Sequence, residues 1–346
     1  MDFQTEKRLV RAYHDNLDAA NADEAATVLR QYTTPNWHWR GMHPINERFG
    51  ADAVAEAFWK PVKTSFSRLK RRADIFAAGR NDVDGFQSVW VVSMGHLMGL
   101  FDRPWLGIRP TQRIAMLRYA EFNRLENGKI TETAMFFDVL SLMMQAGQYP
   151  LPPQTGVHLV QPGPATHDGL MYSPQAPETG EETLRLINAM VNNINTRPRD
   201  QTFDGKIQEL QETWDDDMIW WGPTGIGATY TIPRYLQQHS DPFRQAFAAT
   251  RTFNGHVCRI AEGHFGGFFG WANLTMINEG GYLGMTAGAN AADMRVVDIY
   301  RAGGGKLVEN WVFIDLLHFL KMQGLDVLER MEALQNYDIR GLEDST

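Results

Sequence analysis

The chain has 346 residues, 43% hydrophobic and 21% charged, more than one compact core usually holds, so two domains of roughly 150 residues are expected rather than disorder, a collagen-like repeat or a long coiled coil. The formal net charge of −8 gives no general attraction to nucleic acid or anionic lipid. Cys258 is the single cysteine, which excludes an internal disulfide and a cysteine-based zinc site and fits a reducing, cytoplasmic setting.

Met1 to Val10 mixes charged and apolar residues and lacks the apolar core of a secretory signal. Helix-period patterns come first, at Thr5 to Tyr32, with breaks. A short strand around Trp37-His38-Trp39 follows, then a helix from Ala51 to Phe66. Four strands rich in Val, Ile, Phe and Trp complete the first half: Leu69 to Ala77, Phe86 to Met98, Ile114 to Leu125 and Ile130 to Val139. The last two meet at Asn127-Gly128, a hairpin signal because both central turn residues need positive φ. A helix from Leu140 to Gly147 closes the half, with the glycine suited to the position after the last helical turn.

The segment from Tyr149 to Gly180 holds seven of the sixteen prolines and reads as a linker or an extended strap over the surface. After it the same order returns: helices from Glu181 to Trp214, a strand at Ile219-Trp220-Trp221, a helix from Ile232 to Ala248, strands, and a final helix from Leu316 to Gly324. The return is also residue by residue. A shift of 181 lays Trp39 on Trp220, Gly41 on Gly222, Ile45 on Ile226, Pro61 on Pro242 and Phe66 on Phe247. A shift of 177 lays Arg118 on Arg295, Arg124 on Arg301, Gly128-Lys129 on Gly305-Lys306, Phe136 on Phe313, Asp138 on Asp315 and Gly147 on Gly324. The chain is therefore a duplication with one modest insertion between Phe66 and Gly107. Its expected organisation is a first domain at 1–148, a linker at 149–180, a second domain at 181–336 and a tail at 337–346. Each domain is α+β, with helices packed on one face of a strongly curved antiparallel sheet.

The run Gly305-Lys306-Leu307-Val308-Glu309-Asn310-Trp311, with Asp315 and Met322-Gln323-Gly324 after it, resembles the carboxy-terminal signature of SnoaL-like polyketide cyclases. The first half carries it as Gly128-Lys129-Ile130-Thr131-Glu132, Asp138 and Gln145-Ala146-Gly147. Gly107-Ile108-Arg109-Pro110-Thr111-Gln112-Arg113 resembles a second stretch of that family, with Gln112 in place of the usual glycine. The resemblance implies two tandem NTF2-like cone domains, each a cystatin-like α+β roll enclosing an apolar pocket. It also implies an aspartate acting as general acid/base without a cofactor, here Asp138 or Asp315, on a small apolar or aromatic carbonyl compound. Family members pair through their sheets, so the two halves are expected to pair within the chain, and further homo-oligomers are open.

Strand alternation puts Glu309, Trp311, Phe313 and Asp315 on one face, and burial among rings would raise an aspartate toward a useful pKa. Because a helix follows at once, each aspartate is equally a candidate for its amino-terminal cap. Trp39, Trp220, Trp221, Trp311, Phe136 and Phe313 are candidate pocket walls or core, and Arg118 and Arg295 candidate substrate-orienting groups or partners of surface acids. The second half, with the richer set of tryptophans, is the expected working half. No histidine spacing points to a metal site, and no cofactor motif is present. Two rival readings remain at this level: a non-catalytic binder of hydrophobic metabolites, and a fused structural dimer with closed pockets.

Overall fold

A computed structural model describes residues 2–198 and 200–335; the expected tail at 337–346 lies outside them. Unit 1 begins with α1 (Gln4–Ala19) and α2 (Ala25–Tyr32), then β1 (Thr33–Gly41) and β2 (Glu47–Phe49). α3 (Ala51–Val54) runs through one turn of π-helix, Ala55–Trp59, into α4 (Lys60–Ser65). β3 (Phe66–Arg80), β4 (Val89–Phe101), β5 (Ile114–Glu126) and β6 (Lys129–Phe137) form a meander closed by α5 (Val139–Gln145). The sheet order is β2-β1-β6-β5-β4-β3, antiparallel except where β1 lies parallel to β6. Asn127 and Gly128 have φ of 50° and 72°, as the hairpin requires, and Gly147 has φ of 68° beyond α5.

Unit 2 repeats the plan with α6 (Pro177–Thr196), α7 (Phe203–Gln211), β7 (Trp214–Trp221) and β8 (Thr229–Tyr230). α8 (Ile232–Tyr235) passes through a second π-helical turn, Leu236–Ser240, into α9 (Asp241–Phe247), displaced 181 positions from the first. β9 (Thr252–Phe253), β10 (Cys258–Glu262), β11 (Phe265–Phe269), β12 (Leu274–Ile277), β13 (Ala291–Met294), β14 (Val296–Gly303) and β15 (Lys306–Ile314) follow, then α10 (Leu316–Met322) and α11 (Val327–Gln335). The main sheet runs β10-β11-β14-β15-β7-β8, and β13-β12-β9 make a small separate sheet. The insertion falls at the β3–β4 hairpin. Residues 81–88 occupy it, where unit 2 turns through Gly263 and His264 alone.

The recurring Trp-x-Gly has a steric cause in both units. Each indole folds over the glycine two residues on, and a Cβ at Gly41 or Gly222 would lie 2.0 or 1.9 Å from a ring carbon of Trp39 or Trp220.

The two sheets pack on each other across one continuous core. Phe269 of β11 meets Phe122 of β5 and Trp90 of β4 at ring distances of 5.2 and 5.5 Å, and Trp271 meets Phe136 at 5.7 Å. The inserted hairpin contributes, because Asn81 donates to Val257 O and accepts from Arg259 N at 3.1 and 3.0 Å. Buried Lys7 pairs with Glu262, whose other oxygen accepts from Ala78 N at 2.7 Å. The proline-rich segment is a strap tied to both units. Gly169 and Met171 bond to Phe76 at 2.8 and 2.9 Å, and Gly156 donates to Ile226 O at 2.8 Å.

Candidate active site

The curved sheet and helices of unit 2 form a half-open cavity of about 160 Å³. Its walls are mostly apolar, with Met190, Trp220, Phe243, Phe268, Val312 and Ile314 among them. Apolar walls set by a few polar groups are the usual composition of a small-molecule site.

Asp298 projects into this space from the middle of β14. It is half-buried, and desolvation pushes its carboxyl up to about 7, which hydrogen bonds with Asn310 and Tyr300 only partly oppose. Asn310 Nδ2 donates to Asp298 Oδ1 at 3.2 Å and to Ile299 O at 3.1 Å, so β15 fixes the carboxyl from its neighbouring strand. Among the described residues no basic side chain forms an ion pair with Asp298. A carboxyl held near neutrality is half ionised at the pH where a general acid/base is most effective.

His239, from the π-helical turn, lies flat on Trp220 with ring centroids 3.9 Å apart. Burial lowers it to about 3, leaving it neutral, and its Nδ1 is buried without a hydrogen-bond partner. His256 stacks on Phe268 at 3.8 Å with its Nδ1 2.9 Å from Arg259 Nη2, and burial first, then Arg259, lower it to about 3. Tyr235 completes the ring cluster, 5.8 Å from Trp220, and burial pushes its phenol up to about 12, so it remains a hydrogen-bond donor. The cavity thus combines one titrating carboxyl with neutral imidazoles and protonated phenols. That set can take a proton from carbon and steady the negative charge that develops on a neighbouring oxygen.

Of the residues singled out in the sequence, Trp220 lines this cavity, whereas Asp138, Asp315, Trp311, Phe313, Phe136, Arg118, Arg295, Trp39 and Trp221 do not. The strand faces are the reverse of expectation. Asn310, Val312 and Ile314 point inward, and Trp311, Phe313 and Asp315 turn toward the strap and the other unit. Trp311 Nε1 donates to Pro162 O at 2.9 Å. The reason is that both faces of β15 are apolar, one for the cone and one for the joint, so alternation alone could not tell them apart.

Asp138 and Asp315 are caps with a second duty. Asp138 Oδ1 accepts from Ser141 N at 2.9 Å and Oδ2 from Thr224 N of unit 2 at 3.0 Å. Asp315 Oδ1 accepts from His318 N at 3.2 Å and Oδ2 from His43 N of unit 1 at 3.0 Å. Thr224 and His43 are themselves 181 positions apart, so the two clamps are copies of each other. Burial pushes Asp315 up to about 6, more than Arg295 and the two amides pull it down.

Arg118 donates to Val312 O at 2.9 Å and Trp221 O at 3.3 Å and covers the Phe313 ring at 4.0 Å. Arg295 lies 3.3 Å from Asp315 and 4.1 Å from the Trp271 ring centroid. Arg118 therefore seals the joint directly, and Arg295 reaches it through Asp315. Trp39 is buried against Phe58 at 5.4 Å in unit 1.

Unit 1 carries Glu121 at the place of Asp298, 177 positions earlier, paired with Met135 as Asp298 is with Val312. Here Arg71 Nη1 lies 2.9 Å and His14 Nε2 3.2 Å from Glu121, and Asn123 donates at 3.0 Å. Burial alone would raise this carboxyl, but His14 and Arg71 hold it down at about 2. Arg71 runs beside the Tyr119 and Trp59 rings, 4.7 and 5.7 Å from their centroids, and fills the cone that unit 2 leaves open.

Asp298 was legible as an acid in mid-strand between Val297 and Ile299, on a register that puts Glu121 beneath it. His239 was legible as the replacement for Phe58. Among the described residues no group of three or more His, Cys, Asp or Glu is placed to hold a metal ion, and no helix is long and apolar enough to cross a membrane.

No protein-family model and no curated protein matches the chain. Solved structures do. A protein from Jannaschia sp. CCS1 assigned to the SnoaL-like polyketide cyclases is 22% identical, with 44% of this chain and 95% of that chain covered and a TM-score of 0.35. An NTF2-like protein from Burkholderia thailandensis is 20% identical over 41% of this chain and 95% of its own, at a TM-score of 0.31. IdmH from Streptomyces antibioticus, assigned as a polyketide cyclase, is 14% identical over 41% and 99%, at a TM-score of 0.32. The chain is thus similar, over less than half its length at a time, to proteins of the SnoaL-like and NTF2-like kind.

Proposed function

We propose that unit 2 is a cofactor-independent proton-transfer site for a small, largely apolar carbonyl compound, and that unit 1 is its structural partner. Asp298 acts as the base at the carbon next to the carbonyl and returns the proton elsewhere, giving ring closure or isomerisation. Tyr235 and neutral His239 supply hydrogen bonds for the enolate oxygen, and Trp220 and Phe268 hold the flat body of the substrate. The observation that carries this reading is a half-buried carboxyl facing a mostly apolar cavity, with a pKa near neutrality and no ion-pair partner among the described residues. The neighbours assigned as polyketide cyclases agree with the class of reaction.

A direct test uses 2-acetonaphthone in D2O and follows deuterium entering its methyl group by NMR. Exchange is expected to be catalysed, to rise with pH through about 7 as Asp298 ionises, and to vanish in Asp298→Asn while persisting in Asp315→Asn. Exchange that survives Asp298→Asn and is lost in Asp315→Asn would return the chemistry to the joint. Saturable binding with no exchange would favour a carrier of hydrophobic metabolites.

A further inference from the structure

Three guanidinium groups border the same cavity. Arg197 follows the last turn of α6, Arg244 stands on α9 and Arg251 precedes β9, and all three line the wall. Their charge is only partly answered. Glu209 takes Arg197 Nε at 2.7 and 2.9 Å, yet Arg197 Nη2 is buried without a hydrogen-bond partner on a side chain only 3% exposed. Arg244 donates to Pro198 O at 2.8 Å, and Arg251 to Ile194 O at 3.3 Å and Asn195 Oδ1 at 3.0 Å. These acceptors are neutral. Lys206 and Asp241, the other charges nearby, close on each other at 2.6 Å.

Among the described residues Glu209 is the one carboxylate ion-paired with any of the three arginines, and Glu209 and Asp241 act on Arg244 only without contact, so the wall keeps an excess of positive charge beside the cavity. Burial first, then repulsion from Arg197 for Arg244 and from Arg244 and Arg197 for Arg251, draw the two below the ordinary guanidinium range, although Glu209 and Asp241 pull Arg244 the other way. Neutral donors could tie the same carbonyls without that repulsion, which a bound anion would relieve. Tyr235 feels all three arginines and also Asp298, so one ring connects the cationic wall to the carboxyl.

Resting on the reading of unit 2 as a carbonyl site, we propose that its substrate also bears a carboxylate, which Arg244 and Arg251 bind while the carbonyl end lies toward Asp298. The arginines are positioning and specificity-determining groups, remote from the proton transfer.

The test is a calorimetric titration with two probes of one shape, 2-naphthoate and neutral 2-acetonaphthone, at low salt. The intact protein is expected to bind the anion at least about tenfold more tightly, the worth of one charge-assisted hydrogen bond. Arg244→Gln and Arg251→Gln should each cut that ratio at least about threefold and leave the ketone's affinity unchanged. Arg244→Lys, which keeps the charge and the tie to Pro198, should retain most of the preference. Equal affinity of the intact protein for the two probes, with the ketone bound, overturns the arginine assignment and leaves the carbonyl site standing. Failure of both probes to bind overturns both. Because the intact protein supplies the first ratio, a variant that fails to fold does not decide the matter.

Discussion

Glu121 and Asp298 occupy one position in two copies of one fold, and their neighbours make them different chemical objects. In unit 1 Arg71 threads the cone and, with His14, holds the carboxylate ionised. In unit 2 Asp298 faces a cavity without an ion-pair partner among the described residues, Asn310 is its partner on the adjacent strand, and desolvation keeps the proton on until about pH 7. The scaffold is duplicated, whereas the counter-ion is not. One copy spends its interior on stability, and the other holds a desolvated acid in an open space. A fused pair can tolerate this because the joint, built from two equivalent clamps, ties the open unit to the filled one.

The largest effect should come from Asp298→Asn, which is expected to lower methyl exchange of 2-acetonaphthone at least about a hundredfold. The same change should make the protein more stable. Between about pH 4 and 7 the folded state keeps a proton that the unfolded state loses, so stability declines as pH rises across that window. Removing the group should therefore add on the order of 2–4 kcal/mol above pH 7 and nothing below pH 4, measurable by denaturant titration at both ends.

Glu121→Gln should act in the opposite sense, costing about 3 kcal/mol because Arg71 is left buried beside a neutral amide. The Glu121 carboxyl contributes stability that is complete above its unfolded pKa near 4.5 and is lost as pH falls toward about 2. Catalysed exchange by the folded fraction of this variant should be preserved, which separates the two cones cleanly.

Asp138→Ala and Asp315→Ala each remove a helix cap and one bond across the joint, for a loss of about 2 kcal/mol apiece. Similar losses from the two, by thermal unfolding, would mark them as equivalent clamps. The smallest effect is expected from His239→Phe, which gives unit 2 the residue that unit 1 has at Phe58. Stability should change by less than about 1 kcal/mol, since Trp220 keeps an aromatic neighbour, while affinity for 2-acetonaphthone falls as the cavity loses a polar contact.

Much of the architecture could be read from the chain. The repeated Trp-x-Gly, the Asn127-Gly128 turn and the proline-rich strap are local signals with local causes, and the structure places each of them where those causes require. The resemblance drew attention to Asp138 and Asp315, whose capping role was equally open in the sequence. What the sequence could not disclose was which apolar face of β15 looks inward, because a strand packed on both sides has no polar face to betray its orientation. Nor could it show that Arg71 reaches Glu121, 50 residues away, while the cavity arginines leave Asp298 unpaired, since both depend on how distant segments pack. The mid-strand acids at 121 and 298 were visible in the repeat register, and their recurrence at the same place in both copies was the available clue.

The most direct measurement is the titration of Asp298 itself, followed by carbon NMR of side-chain carboxyls labelled in aspartate and assigned by the loss of one resonance in Asp298→Asn. The account predicts a midpoint near pH 7 for this group in the intact chain. A midpoint near the ordinary aspartate value, roughly 4, would mean that solvent or an ion reaches the carboxyl, and would contradict the distinction between the two cones.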